Sequence, residues 1–212
     1  MIKLAYCNVE NLDLKKGYVM VSNSRKSKID KYIFDRDKKL SCGVYLLLFR
    51  LLKQEGITDP VIKTEKFGKA YISNYENIHF NVSHSKNMIC CAISDKPVGT
   101  DIEYNDPTID LDIAKHYFFN SEYETIMNSS NPADEFFNYW VLKESYMKYT
   151  GLGFRLDLNS FEIMMNNEIT LKNDKKNIKF NLFDTDEYKL GIASHYNVKH
   201  AENFHVNEIY QF

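Results

Sequence analysis

The stretch Glu135 to Lys148 reads EFFNYWVLKESYMK and constrains the fold more than any other part of the 212-residue chain. At roughly 100° per residue, Phe136, Phe137, Trp140, Val141 and Met147 sweep an arc that also contains Glu144 and Lys148. Tyr139, Leu142 and Tyr146 cover much of the remaining circumference, so this helix is apolar nearly all round and is expected to be buried. A carboxylate and an ammonium on a buried helix need a reason. One reason is an i,i+4 ion pair, worth about 0.3–0.5 kcal/mol on any helix. The other is that Glu144 meets further acids around a divalent cation, with Lys148 one turn on.

The further acids lie in Val98 to Glu103, VGTDIE. In an extended strand Val98, Thr100 and Ile102 point one way and Gly99, Asp101 and Glu103 the other, so two carboxylates share one face beside a glycine. Three carboxylates from a strand and a helix suit Mg²⁺, a hard ion that takes oxygen ligands and commonly also holds water and substrate phosphates. The expected ligands are Asp101, Glu103 and Glu144, and the chemistry they point to is phosphoryl transfer.

A hydrophobic-Gly-x-Asp-x-Glu strand, followed roughly forty residues later by a Trp-x-x-Lys-Glu-Ser-x-x-Lys helix, resembles the signature of the 4′-phosphopantetheinyl transferases. The residues that carry the match are Val98, Gly99, Asp101, Glu103, Trp140, Lys143, Glu144, Ser145 and Lys148. The type it is most similar to is the surfactin-synthetase-activating one, the monomeric branch of that superfamily. The resemblance implies an α+β fold of two similar α/β halves related by a pseudo-two-fold, with the ligand between them. We place the halves at residues 1–104, with the coenzyme A site and the metal strand, and 105–212, with the catalytic helix and a carrier-docking segment.

The rest of the composition bounds this reading. Hydrophobic residues at 44% and charged residues at 26% are ordinary for a folded protein. A formal net charge of −2 argues against a general nucleic-acid binder, so any phosphate site is a local patch. The start, MIKLAYCNVE, lacks a signal-peptide core and no run approaches the ~18 apolar residues of a membrane span, which points to a cytoplasmic protein without membrane partners. Cys7, Cys42, Cys90 and Cys91 form no C-x-x-C and read as core filling in a reducing compartment. The six histidines show no zinc spacing.

In chain order, a strand is expected near Ile2 to Val9, and Ser24 to Phe34 gathers Arg25, Lys26, Lys28 and Lys31. Asp35 or Asp37 can cap a helix whose apolar run Val44 to Leu52 ends at Gly56. Strands follow around Val61 to Thr64, Lys69 to Ile72, Ile78 to Ser83 and Met88 to Ile93, with the phrases FGKA and NVSHS between them. Gly68-Lys69 is no Walker loop and Ser83-His84-Ser85 no hydrolase triad. Asp110 to Tyr117 reads as a short helix, Ser121 with Glu124 as a capping box for the next, and Pro132 opens the central helix, which stops at Gly151 and Gly153. Strands close the chain near Phe161 to Met165, Ile169 to Leu171, Ile178 to Phe183, Leu190 to His195 and Val206 to Tyr210. The phrase Asn77-Ile78-His79-Phe80-Asn81 recurs as Asn177-Ile178-Lys179-Phe180-Asn181, an echo that fits two halves.

The family resemblance assigns Lys69, Ser83 and His84 to coenzyme A, and adds Arg25, Lys28 and Ser41 on the phosphate and adenine side. It implies transfer of phosphopantetheine from coenzyme A to a serine of an acyl or peptidyl carrier protein, with release of 3′,5′-ADP. Asp101, Glu103 and Glu144 would hold Mg²⁺, Glu144 or a metal-bound water would take the serine proton, and Lys148 would steady the leaving group. The carrier is expected on Thr108 to Phe119, through Ile109, Leu111, Ile113, Tyr117 and Phe118. Three positions depart from the family pattern. Ala70 stands for Pro, Thr100 for an aliphatic residue and pointing away from the metal face, and Leu40 for an Arg before Ser41. The competing readings are a Mg²⁺-dependent phosphodiesterase on the same bond and a non-catalytic coenzyme A or carrier-docking module.

Overall fold

A computed structural model describes residues 1–65 and 68–212; Phe67 of the FGKA phrase lies outside them. The elements run β1 (Ile2–Asn8), α1 (Leu14–Met20), α2 (Asn23–Ile29), α3 (Asp35–Gln54), β2 (Ile62–Thr64), β3 (Ala70–Ile72), β4 (His79–Ser85), β5 (Met88–Ser94) and β6 (Gly99–Tyr104). They continue with α4 (Asp112–Tyr117), α5 (Asn120–Asn128), α6 (Pro132–Thr150), β7 (Ile163–Met165), β8 (Ile169–Leu171), β9 (Lys179–Thr185), β10 (Tyr188–Ser194) and β11 (Glu202–Phe204).

Two sheets organise the chain, ordered β11-β1-β5-β4 and β6-β10-β9. Each contains an antiparallel hairpin, β4–β5 or β9–β10, flanked on its inner strand by a third antiparallel strand, β1 or β6. The sequence echo marks these hairpins: every residue of β4 and β5 has its counterpart one hundred positions on. Side-chain bonds repeat too. Asn81 Oδ1 accepts from the Thr100 amide, as Asn181 Oδ1 does from the Val198 amide. Both hairpin turns hold a non-glycine residue at positive φ, Lys86 at 48° and Asp186 at 52°. The mixed helices and sheets are the expected α+β class. β6, expected to carry metal ligands and grouped with the first half on sequence, takes its ladder from β10 and so joins the second sheet, while β11 returns to lie parallel to β1 in the first.

Each sheet is covered by one long helix. α3 buries Leu46, Leu47, Leu48, Leu51 and Leu52 over the first sheet, in a core that also takes Cys7, Cys42 and Cys91. α6 lies on β6 and β10, and two glycines let it approach. A Cβ on Gly99 would run into the Ser145 carbonyl oxygen and the Tyr149 amide nitrogen, and one on Gly191 would lie 2.6 Å from the Val141 carbonyl oxygen. Eleven of the nineteen residues of α6 are buried and none is exposed, in keeping with its all-round apolar sequence.

Several local expectations change. Neither Asp35 nor Asp37 caps α3; Phe34 is the N-cap, and the two carboxylates sit in the first turn, where they complement the helix dipole. Ser121 and Glu124 do not form the capping box. α5 starts earlier, and Glu122 at its third position accepts from the Phe119 amide. The final strand is β11, not Val206 to Tyr210. His205 and Glu208 close that segment on themselves, His205 N–H to Glu208 Oε2 and Glu208 N–H to the His205 carbonyl, which turns Glu208–Tyr210 into a 3-10 turn. α1, capped by Asp13 onto the Lys16 amide, carries no sequence signal strong enough to anticipate.

Candidate active site

β4 and β6 lie side by side without a shared ladder. Alternate residues of β4 join them through side chains, as the two-residue strand period allows. Beyond the Asn81–Thr100 bond, Ser83 Oγ donates to Asp101 Oδ1 at 2.7 Å. Ser85 Oγ donates to Glu103 Oε2 at 2.7 Å and accepts from the Tyr104 amide. The expected acidic face of β6 is therefore present, and it turns toward α6. Thr100 points the other way, donating to the Gly191 carbonyl.

From α6, Lys148 Nζ reaches Asp101 Oδ1 at 2.6 Å and Ser83 Oγ at 2.8 Å. Its partner is thus a carboxylate on β6 and not Glu144, so the helical i,i+4 ion pair is not what these residues form. Glu144 is 8% exposed and Asp101 2%. Burial, and next the Asp101 charge, push the Glu144 carboxyl up to about 7, and the same two causes in the same order push Glu103 up to about 7. Burial by itself lowers the Lys148 ammonium; the Asp101 carboxylate outweighs it and the net shift is upward.

The donor set suits a hard divalent cation. Asp101 Oδ2 and Glu144 Oε1 are buried without a hydrogen-bond partner, and the raised carboxyls of Glu103 and Glu144 are groups that such an ion offsets. As the side chains stand, no three His, Cys, Asp or Glu groups among the described residues come close enough to enclose an ion. Lys148 holds one edge of Asp101 and Ser85 holds Glu103.

Next to the acidic row opens a cleft of ≈ 470 Å³, and it brings together all six residues expected on the coenzyme A side. α2 supplies Arg25 and Lys28, α3 supplies Ser41, the approach to β3 supplies Lys69, and β4 supplies Ser83 and His84. Lys148 lines the same cleft and so belongs to both places. Arg25 Nη1 donates to Ser41 Oγ at 3.5 Å and its guanidinium lies over the Tyr45 ring. Burial lowers the pKa of Arg25, Lys28 and Lys69. Burial and then Lys148 lower that of His84. The Lys69 ammonium donates to the carbonyls of Lys148 and Tyr149 at the end of α6. Leu40 lies in the core, while Ala70 lines the cleft. Sequence reading missed Tyr32 and Asn81, which also line it; Asn81 opens the NVSHS phrase and closes the echo but was given no role there.

A second groove, of ≈ 310 Å³, lies beyond Glu103 and is walled by Tyr104, Ile109, Ile113 and Trp140. Two of the residues expected to meet a carrier are therefore at this groove, and Tyr117 is 57% exposed. Phe118 is not available. It is 4% exposed and, just past the end of α4, stacks on Phe136 of α6 with ring centroids 5.6 Å apart.

The two raised carboxyls make a prediction about stability. Glu103 and Glu144 titrate near 7 when folded and near 4.5 when unfolded, so between those values the folded chain holds protons that the unfolded chain has released. Their contribution is full below the unfolded value and is lost as pH rises through the folded one. The thermal midpoint is expected to be higher at about pH 5.5 than at about pH 7.5, by roughly 2 kcal/mol for each carboxyl and about 4 kcal/mol for both, or about 8–16 °C. Glu144→Gln should remove roughly half of that difference; an unchanged slope in the variant would place the titration elsewhere.

Residues 97–195 match the 4′-phosphopantetheinyl transferase superfamily. A 4′-phosphopantetheinyl transferase of Bacillus subtilis is 31% identical over 184 residues, which cover 82% of this chain and 82% of that protein. The 4′-phosphopantetheinyl transferase gsp of Aneurinibacillus migulanus is 33% identical over 187 residues, 83% of this chain and 78% of that one. The 4′-phosphopantetheinyl transferase Sfp of Bacillus subtilis (strain 168) is 35% identical over 113 residues, 52% of this chain and 50% of that one.

Proposed function

This chain belongs to the 4′-phosphopantetheinyl transferase superfamily, and we propose that it carries the phosphopantetheine of coenzyme A to a serine of an acyl or peptidyl carrier protein. The bond formed is serine Oγ to phosphorus. The bond broken is the pyrophosphate P–O, the serine proton goes to a base, and 3′,5′-ADP leaves. The observation that carries the reading is that Lys148 lines the cationic cleft and bonds the buried acidic row.

In this account Arg25, Lys28, Lys69 and His84 bind the phosphates, which offset the cost of burying the three cationic side chains. Asp101, Glu103 and Glu144 would hold a Mg²⁺, which would supply neutralising charge to the pyrophosphate. Glu144, buried beside Asp101 at the acidic row, is the group we assign to accept the serine proton. Lys148, kept protonated by Asp101, stabilises charge on the departing phosphate. The carrier docks along α4 and the groove of Ile109 and Ile113, with Tyr117 at the rim. The protein works as a cytoplasmic monomer without nucleic-acid or membrane partners. The net charge of −2 and four free buried cysteines accord with that setting. No helix among the described residues is long and apolar enough to cross a membrane.

The test is a steady-state transfer assay with three variants. Lys28→Ala and His84→Ala are expected to raise KM for coenzyme A roughly 10-fold or more with kcat within about a factor of three, because contacts made equally in ground and transition states act on KM. Tyr117→Ala should raise KM for the carrier and leave that for coenzyme A unchanged. Loss of kcat at saturating coenzyme A in Lys28→Ala or His84→Ala would move these residues from binding into the chemistry.

A further inference from the structure

The last turn of a helix leaves carbonyl oxygens without intrahelical donors, and in α6 those carbonyls sit beside the catalytic lysine. Thr150 Oγ1 donates to the Met147 carbonyl at 2.8 Å, and the Gly151 amide, in the left-handed conformation at φ 76°, donates to that of Lys148. The remaining donor comes from far away in the chain. Lys69 Nζ donates to the Lys148 carbonyl at 2.8 Å and to the Tyr149 carbonyl at 3.2 Å. Its stem packs on Gly151, where a Cβ would lie 3.3 Å from Lys69 Cδ. A cation on the negative end of the helix dipole is favourable, more so when partly buried.

We propose that Lys69 is a positioning residue for Lys148: it clamps the C-terminal turn of α6, so that the backbone carrying Lys148 is held where the ammonium meets Asp101 and the cleft. This goes beyond a phosphate contact. A lysine ammonium has three donors; two are spent on α6, which leaves one for an anion in the cleft that Lys69 lines. One side chain therefore ties ligand, helix end and catalytic lysine together.

The experiment is amide hydrogen exchange on the full chain without ligand, comparing wild type, Lys69→Met and Lys69→Arg. Methionine keeps the apolar stem and removes the donors; arginine keeps a cation. The clamp predicts about tenfold faster exchange in Lys69→Met for the amides from Met147 to Leu152, no change in α3, and substantial rescue in Lys69→Arg. Unchanged exchange at the end of α6 overturns the proposal. In the transfer assay, which rests on the reading above, Lys69→Met should lower kcat as well as raise KM for coenzyme A. A rise in KM alone overturns the proposal and leaves Lys69 as a ligand contact. If the wild-type chain transfers nothing, that reading fails while the exchange result stands by itself.

Discussion

Lys143→Met is expected to cost about 3–5 kcal/mol, a loss of roughly 6–20 °C in the thermal midpoint of a chain this size. Lys143 and Glu122 are 0% and 1% exposed, with their charges 2.8 Å apart. The ammonium also donates to the carbonyls of Leu158 and Phe161 at 2.9 and 2.8 Å, and lies against the Phe161 ring. Glu122 in turn accepts from the amides of Phe119 and Ile163 at 3.0 and 2.7 Å. All three donors of the ammonium and both carboxylate oxygens are thus used, although burial still outweighs the pairing and leaves the lysine lowered and the acid raised. Methionine fills the space but leaves a buried carboxylate without its cation. Adding Glu122→Gln to Lys143→Met should recover part of the loss, since it removes the uncompensated charge while retaining an acceptor. A denaturation series in which Lys143→Met loses less than about 1 kcal/mol would show that the pair does not hold α6 in place.

Glu144→Gln and Lys148→Ala should both slow transfer by about 10²–10³ in kcat, yet move stability in opposite directions. Glu144 is buried beside Asp101 with one oxygen unpartnered, so an amide relieves like-charge repulsion. The variant is expected to melt higher at neutral pH and to bind Mg²⁺ more weakly. Lys148 is the cation of Asp101. Its removal leaves that carboxylate buried and uncompensated, for a loss of about 1–3 kcal/mol after allowing for a side chain that is 25% exposed. Its Mg²⁺ affinity should be intact or stronger, because ion and ammonium compete for one carboxylate. Calorimetric metal titration with thermal melts separates the cases. Similar small losses of stability with wild-type turnover in both would reduce the residues to a structural ion pair.

How legible was this in the sequence? Asp101 and Glu103 share a face because the strand period of two holds in any fold, and α6 is recognisable because no exposed helix is apolar all round. The pairing of Lys148 was not legible. Periodicity gives the arc of a helix but not the strand opposite it, and Asp101 lies opposite only because Gly99 and Gly191 admit the helix. Glu122 and Lys143 sit on different helices, and nothing local marks them as partners. Lys69 was legible as a lysine of the cleft but not as the donor to α6, since backbone carbonyls leave no trace in a sequence. Val206 to Tyr210 holds the β-branched and aromatic residues of a strand, but its turn through His205 and Glu208 is made by a side chain that competes with a ladder.

The central claim is group transfer, and intact-protein mass spectrometry of an apo carrier protein tests it most directly. With coenzyme A and Mg²⁺, the wild-type chain should add one phosphopantetheine to the carrier, on its serine, with 3′,5′-ADP appearing in equal amount. Glu144→Gln should slow the addition, and chelation of the metal should stop it. A panel of fatty-acid, polyketide and nonribosomal apo carriers left without any mass gain by the folded protein would contradict the account, as would release of phosphopantetheine from a holo carrier in place of its addition.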